Sequence, residues 1–245
     1  MNKGKFIGII LVLSLICNVV AVGYIGIDFY KNRKSGNIFK LNAYAWANSW
    51  LEVPKPGENR VIFIGNSITE NWIHMRYKFF KDNNYTCRGI GGQTSPLLLL
   101  RFRRDVIDLN PKMVVINAGI NDIAENTGEY DPVFTMDNIK SMAQLARING
   151  IRVILTSVLP SSGYGWKGHI KDITRKIKDL NAEIKTYADE NAYTYVDYYL
   201  AMVNGEDKGM KDGYSFDGQH PGEEGYAVME SLIKKAIDDT LRHEK

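Results

Sequence analysis

From residue 60 onward, short apolar runs rich in β-branched residues alternate with longer segments of helical spacing, a pattern that leaves few folds open. The short runs are 60–65 (RVIFIG), 85–90, 112–118 (KMVVINA), 151–158 (IRVILTSV) and 193–197 (YTYVD). They are nearly continuous in hydrophobicity, as strands buried on both faces should be. Between and after them, helical spacing covers roughly 70–80, 95–108, 134–149, 169–190 and 222–242. Alternation of this kind predicts an α/β domain with a parallel sheet covered by helices on both sides. In such sheets ligands bind outside the carboxyl ends of the strands, so the polar and glycine-rich pieces that follow each strand are where chemistry is expected.

The N-terminus reads differently. Phe6 to Ile27 is a run of 22 residues without a charge, and as a helix it would reach about 33 Å, enough to cross the hydrocarbon of a bilayer. Lys3 and Lys5 supply a basic region at 1–5, and Lys31, Arg33 and Lys34 lie in a polar linker at 28–37. The run is longer than a usual secretory core, and its one small-x-small site, Ala21-Val22-Gly23, lies inside it. Leu15-Ile16 before Cys17 argue against lipoprotein cleavage. Span 6–27 is therefore expected to be an uncleaved signal anchor, with the domain at 38–245 outside the cytoplasm; the alternative is a cleaved signal peptide and a secreted domain.

Of the 31 basic and 28 acidic residues, five and one fall in residues 1–35, which leaves 26 against 27 and a net charge of −1 for the rest. A nearly neutral domain offers no electrostatic footprint for nucleic acid. Cys87 is the only cysteine beyond residue 35, so no disulfide can form within the domain, and no His or Cys pair has metal-ligand spacing. No metal or other cofactor is expected.

Four segments at strand ends stand out. Gly65-Asn66-Ser67-Ile68-Thr69 follows the first strand, where glycine allows a tight turn and Ser67 would stand at the mouth of the sheet; the plainer reading is a Ser67 helix cap with Glu70 three residues on. Gly89-Ile90-Gly91-Gly92-Gln93-Thr94 follows the second, and consecutive glycines can expose backbone N–H groups to an oxyanion, or simply make a turn. Gly119-Ile120-Asn121-Asp122 follows the third, offering the Asn121 amide as a further donor or ordinary turn chemistry. Asp217-Gly218-Gln219-His220 precedes Pro221 and the last helix, and there a carboxylate can hold one imidazole nitrogen while the other faces a nucleophile. Singly each is weak. Together they supply nucleophile, base, orienter and oxyanion donors, which is what acyl transfer through a tetrahedral intermediate requires.

At this point the chain resembles the SGNH, or GDSL-like, lipase/acylhydrolase family over nearly all of 38–245. The blocks that carry the resemblance are VIFIGNSIT, RGIGGQT, NAGIND and DGQHPGEEGY. The resemblance implies a three-layer α/β/α sandwich, flavodoxin-like, around a five-stranded parallel sheet. It also implies Ser67 as nucleophile, Asp217 and His220 as the remaining dyad, and an oxyanion hole from the Ser67 N–H, the Gly92 N–H and the Asn121 side chain. Asn66 stands where the family usually has aspartate; it keeps a carbonyl acceptor of similar shape without the charge. The classical α/β-hydrolase elbow fits less well, because Thr69 occupies the position where it needs glycine.

The implied reaction is hydrolysis of an ester, with a short acyl group such as acetyl, and a carbohydrate as one candidate for the alcohol. Tyr164 and Trp166 after the fourth strand, together with Asn66, are the expected substrate contacts, and Tyr214 precedes the dyad. Other readings stay open: transfer of the acyl group to a sugar hydroxyl, a lipase or lysophospholipase, and a non-catalytic glycan-binding domain.

Overall fold

The computed structural model describes residues 14–24, 26–27, 39–163, 168–205 and 209–242, and the chain divides into two units, Met1–Lys40 and Leu41–Lys245. In the first, residues 14–24 and 26–27 are helical and exposed. Among the described residues no helix is long and apolar enough to cross a membrane. The remainder of the expected 6–27 span lies outside the described residues.

The second unit contains, in chain order, α1 (Ala45–Ser49), β1 (Val61–Gly65), α2 (Ser67–Met75), α3 (Tyr77–Asp82), β2 (Tyr85–Gly89), α4 (Ser95–Asp105), a 3₁₀ turn (Ile107–Leu109), β3 (Met113–Ile116), α5 (Ile120–Ile123), α6 (Pro132–Ile148), β4 (Arg152–Thr156), α7 (Ile173–Glu190), β5 (Thr194–Val196), α8 (Tyr198–Met202) and α9 (Glu223–Arg242). The five strands form one sheet in the order β2-β1-β3-β4-β5, every neighbouring pair parallel. β1 and β3 are buried throughout, which accounts for their unbroken hydrophobicity. This is the three-layer α/β/α sandwich that the resemblance implies.

Each connection crosses over helically, and the right-handed rule puts α4, α6 and α7 on one face and α2 and α3 on the other, where the last helix, α9, joins them through the contact of its Tyr226 with Trp72. Contacts between α4 and α6 and between α6 and α7 run in series across the first face. The second is filled by aromatic rings: Trp72 stacks on Tyr226 with centroids 5.5 Å apart and meets Phe63 edge-on at 5.6 Å. The expected helix at 70–80 is broken at Arg76 into α2 and α3. There the guanidinium forks onto both carboxylate oxygens of Glu230 at 2.9 Å, a pairing in α9 that helical periodicity could not reveal.

The chain runs from β1 outward to β2, then returns across β1 to β3. That reversal opens a crevice at the carboxyl ends of β1 and β3, the place where such sheets bind ligands.

Candidate active site

Asn66 ends β1 and caps α2, its Oδ1 accepting the Ile68 N–H at 3.0 Å. Ser67 is thereby the first residue of α2 rather than its cap, and its Oγ is left for other use. It lies 2.9 Å from His220 Nε2. His220 Nδ1 lies 2.6 Å from Asp217 Oδ2. A hydrogen-bonded line thus runs from the serine hydroxyl to a carboxylate across 153 residues of sequence.

The loop carrying the dyad is tied to itself. Asp217 Oδ1 accepts the backbone N–H groups of Gln219 at 2.9 Å and His220 at 2.7 Å, while Ser215 Oγ donates to the His220 carbonyl at 2.8 Å and accepts the Gly218 N–H at 2.9 Å. Gly218 has φ +82°, the left-handed region that favours glycine. Burial pushes the Asp217 carboxyl up, but the bonds from the His220 N–H, the His220 ring and the Gln219 N–H outweigh it and hold the group below the usual carboxylate range. Asp217 is therefore an anion facing the imidazole at neutral pH.

Beside Ser67 lies the turn Ile90-Gly91-Gly92-Gln93, where a Cβ on Gly91 would fall 3.7 Å from Ser67 Cβ; it is closed by Gln93 N–H to the Ile90 carbonyl at 3.4 Å. Gly92 has φ +78°, as the third position of a type II turn requires. Asn121 in α5 reaches the same turn, its Nδ2 donating to the Gln93 carbonyl at 2.9 Å. An amide carries two N–H donors, and among the described residues the second has no partner. The same holds for the Gly92 N–H. The sheet end thus gathers Ser67, His220, Asp217, Gly92 and Asn121.

Asn66 is a correction. Expected among the substrate contacts, it is fully buried, and its role is to shape the turn; its Nδ2 is a buried donor without a partner. Tyr164 and Trp166 lie outside the described residues. A cavity of about 860 Å³ along the β5 edge, lined by Arg152, Tyr193, Tyr195 and Asp239 among others, contains none of these residues.

Further residues, outside the four sequence blocks or without a role assigned from them, hold the site together. Arg101 in α4 is almost completely buried. It donates to the carbonyls of Gly65 at 3.0 Å and Arg88 at 2.7 Å, to Gln93 Oε1 at 2.6 Å and to Asp105 at 2.8 Å, so it ties the ends of β1 and β2 to the glycine turn. Its spacing of four from Asp105 was a visible signal. Asp122, buried as well, accepts Ser95 N–H at 3.0 Å and Ser95 Oγ at 2.6 Å and so holds the start of α4. Burial raises its carboxyl above the ordinary value, against the opposing pull of the Ser95 bonds. Phe216 lies parallel to the His220 ring, centroids 5.9 Å apart, and is 64% exposed. Cys87 is no rival nucleophile, since burial pushes its thiol up to about 11.

A GDSL-like lipase of Bacteroides thetaiotaomicron VPI-5482, known from a crystal structure, is 52% identical, with a TM-score of 0.81 over 83% of this chain and 99% of its own. Esterase TesA of Pseudomonas aeruginosa is 28% identical over 169 residues, 67% of this chain and 77% of that protein. An acetylxylan esterase of Geobacillus stearothermophilus shares the fold at 18% identity, with a TM-score of 0.59 over 73% of this chain and 94% of its own. The model of the GDSL-like Lipase/Acylhydrolase family matches residues 63–228, and the chain is an ester hydrolase belonging to that family.

Proposed function

We propose that this enzyme cleaves a short-chain ester, such as an acetyl ester, through an acyl-enzyme on Ser67. The observation that carries the reading is the hydrogen-bonded line Ser67–His220–Asp217, at 2.9 and 2.6 Å. His220 Nε2 takes the Ser67 hydroxyl proton as Oγ adds to the ester carbonyl, and Asp217 holds the imidazole tautomer and stabilises the imidazolium. The oxyanion receives the Ser67 N–H, the Gly92 N–H and the free N–H of Asn121. Collapse expels the alcohol, which takes its proton from His220. Water then adds to the acyl carbonyl, giving its proton to His220, and the carboxylic acid leaves as Ser67 Oγ is reprotonated.

The alcohol is proposed to be a carbohydrate. His220 delivers the proton to the leaving oxygen, so the aromatic face that lies parallel to its ring, Phe216, flanks the alcohol half of the substrate, and aromatic faces pack well on sugar rings. Tyr164 and Trp166 are proposed to join it. The uncharged run 6–27 and its basic flanks support a membrane anchor with the catalytic unit outside the cytoplasm.

The test is kinetic. Ser67→Ala and His220→Ala are each expected to lower turnover of a fluorogenic acetyl ester by several orders of magnitude, with the double variant hardly worse, because residues acting as a unit are strongly non-additive. A phosphonylating reagent should label Ser67 in the wild type and fail in His220→Ala. Near-full turnover by Ser67→Ala, or label on Ser95 or Ser161, would overturn the mechanism. Faster cleavage of long-chain or phospholipid esters than of acetyl sugars would overturn the substrate, and product analysis with added sugar separates hydrolysis from transfer.

A further inference from the structure

Glu70 stands one turn beyond Ser67 on α2, where an acidic side chain ordinarily serves the helix's own amides. Here it does something else. Its Oε2 accepts the N–H of Gly91 at 2.8 Å, across the gap between the nucleophile helix and the glycine turn. Gly91 is close to both groups: a Cβ placed on it would lie 2.8 Å from Glu70 Oε2 and 3.7 Å from Ser67 Cβ.

The next amide along the chain is that of Gly92, the proposed oxyanion donor. Where that N–H points is decided by the φ and ψ of Gly91, and glycine restricts those angles least of all residues. The far side of the turn is held by other bonds: Asn126 Nδ2 to the Gly92 carbonyl at 3.2 Å, Asn121 to the Gln93 carbonyl at 2.9 Å and Arg101 to Gln93 Oε1 at 2.6 Å. At the near side, the Ile90 N–H is held by the Gly65 carbonyl at 3.0 Å, and Glu70 holds the residue that aims the donor.

We infer that Glu70 is a positioning residue of the oxyanion hole, tying Gly91 to the helix that carries Ser67 so that nucleophile and Gly92 N–H keep one geometry. The inference rests on the assignment of Gly92 as an oxyanion donor. A carboxylate so near a developing oxyanion opposes it electrostatically, so the useful property of Glu70 is its acceptor and its reach, not its charge. Glutamine keeps both. Aspartate keeps the charge but is one methylene too short, and alanine keeps neither.

The full chain is assayed with a fluorogenic acetyl ester. Glu70→Ala and Glu70→Asp are expected to lower kcat about 10-fold or more, less than the roughly 10²- to 10³-fold that follows outright loss of an oxyanion donor. KM should stay within about two-fold, since a misaimed donor weakens the transition state more than the bound ester. Glu70→Gln should return kcat to within about three-fold of wild type. Phosphonylation of Ser67 should slow in parallel with kcat, because the phosphoryl oxygen enters the same hole. The inference is overturned if Glu70→Ala keeps wild-type kcat, if only KM changes, or if Glu70→Gln is as impaired as Glu70→Asp. Should Glu70→Ala fail to fold, the Gln/Asp pair alone decides. Ser67→Ala separates the levels: if it is inactive while Glu70→Ala is normal, only this inference fails, whereas an active Ser67→Ala removes the underlying mechanism as well.

Discussion

Asn121 uses one amide hydrogen on the Gln93 carbonyl and has a second to offer, so in the proposed mechanism a single side chain both braces the glycine turn and serves the oxyanion. Asn121→Ala is expected to lower kcat about 10²-fold, the loss of about 3 kcal/mol of transition-state stabilisation, with Tm little altered. An unchanged kcat would remove Asn121 from the site. Asp217 allows a test by pH. Its folded-state value lies below the ordinary one, so the native state binds fewer protons there, and the stabilisation is complete above the unfolded value of about 3.9 and lost as pH falls through the lower folded value. Asp217→Asn should therefore melt lower than wild type at neutral pH, with the gap in Tm persisting down to about pH 4 and closing below it. A gap that closes between pH 7 and 5 would show that the carboxylate is not held as an anion. At this scale the sequence displayed the right residue types but not their partners. S-x-x-E reads as a capping box, yet Asn66 caps α2 and Glu70 reaches Gly91, because both outcomes use the same letters at the same spacing.

The placing of α2 depends on two glycines at strand ends. A Cβ on Gly65 would fall 2.2 Å from Thr69 Oγ1, and one on Gly89 would fall 2.2 Å from the Glu70 backbone nitrogen and 2.6 Å from the Thr69 carbonyl carbon. Since the second obstacle is backbone, Gly89→Ala must push α2 away from β2. Overpacking of this kind costs about 1–3 kcal/mol, so a measurable fall in Tm is expected, accompanied by a fall in kcat because Ser67 moves with the helix. A variant with wild-type Tm and kcat would show that the interface yields without cost. The five strands were legible as short, nearly continuous apolar runs and the long helices as a repeat near 3.6 residues. The short helices α1, α5 and α8 were not, because four or five residues cannot display a period. Asp122, read as turn chemistry, instead holds the start of α4 through Ser95.

For the molecule as a whole, the reversal of strand order between β1 and β3 places four sequence blocks around one crevice. The polypeptide from Leu41 onward is a compact unit with its own core, and the prediction follows that a chain beginning at Gly36 will be soluble and will hydrolyse a soluble ester at the rate of the full-length enzyme. The full-length chain should stay in the membrane fraction through a high-salt wash, which removes peripheral electrostatic attachment but not a spanning helix. Recovery of the full-length product in the soluble fraction with the first ~23 residues removed would establish a cleaved signal instead.

The sequence alone determined the α/β class, the strand count and the kinds of residue present at each strand end, because hydrophobic period and residue chemistry are local properties that the chain carries wherever it folds. Tertiary structure decided which of those residues meet. The 2.9 Å contact of Ser67 with His220 joins positions 153 residues apart, and the buried Arg101 binds carbonyls at the ends of two strands together with a side chain in the turn. Neither pairing has any expression in local spacing. They follow from the sheet order, which brings β1 between β2 and β3, and from glycines that let backbone approach backbone where a single methyl group would hold them apart.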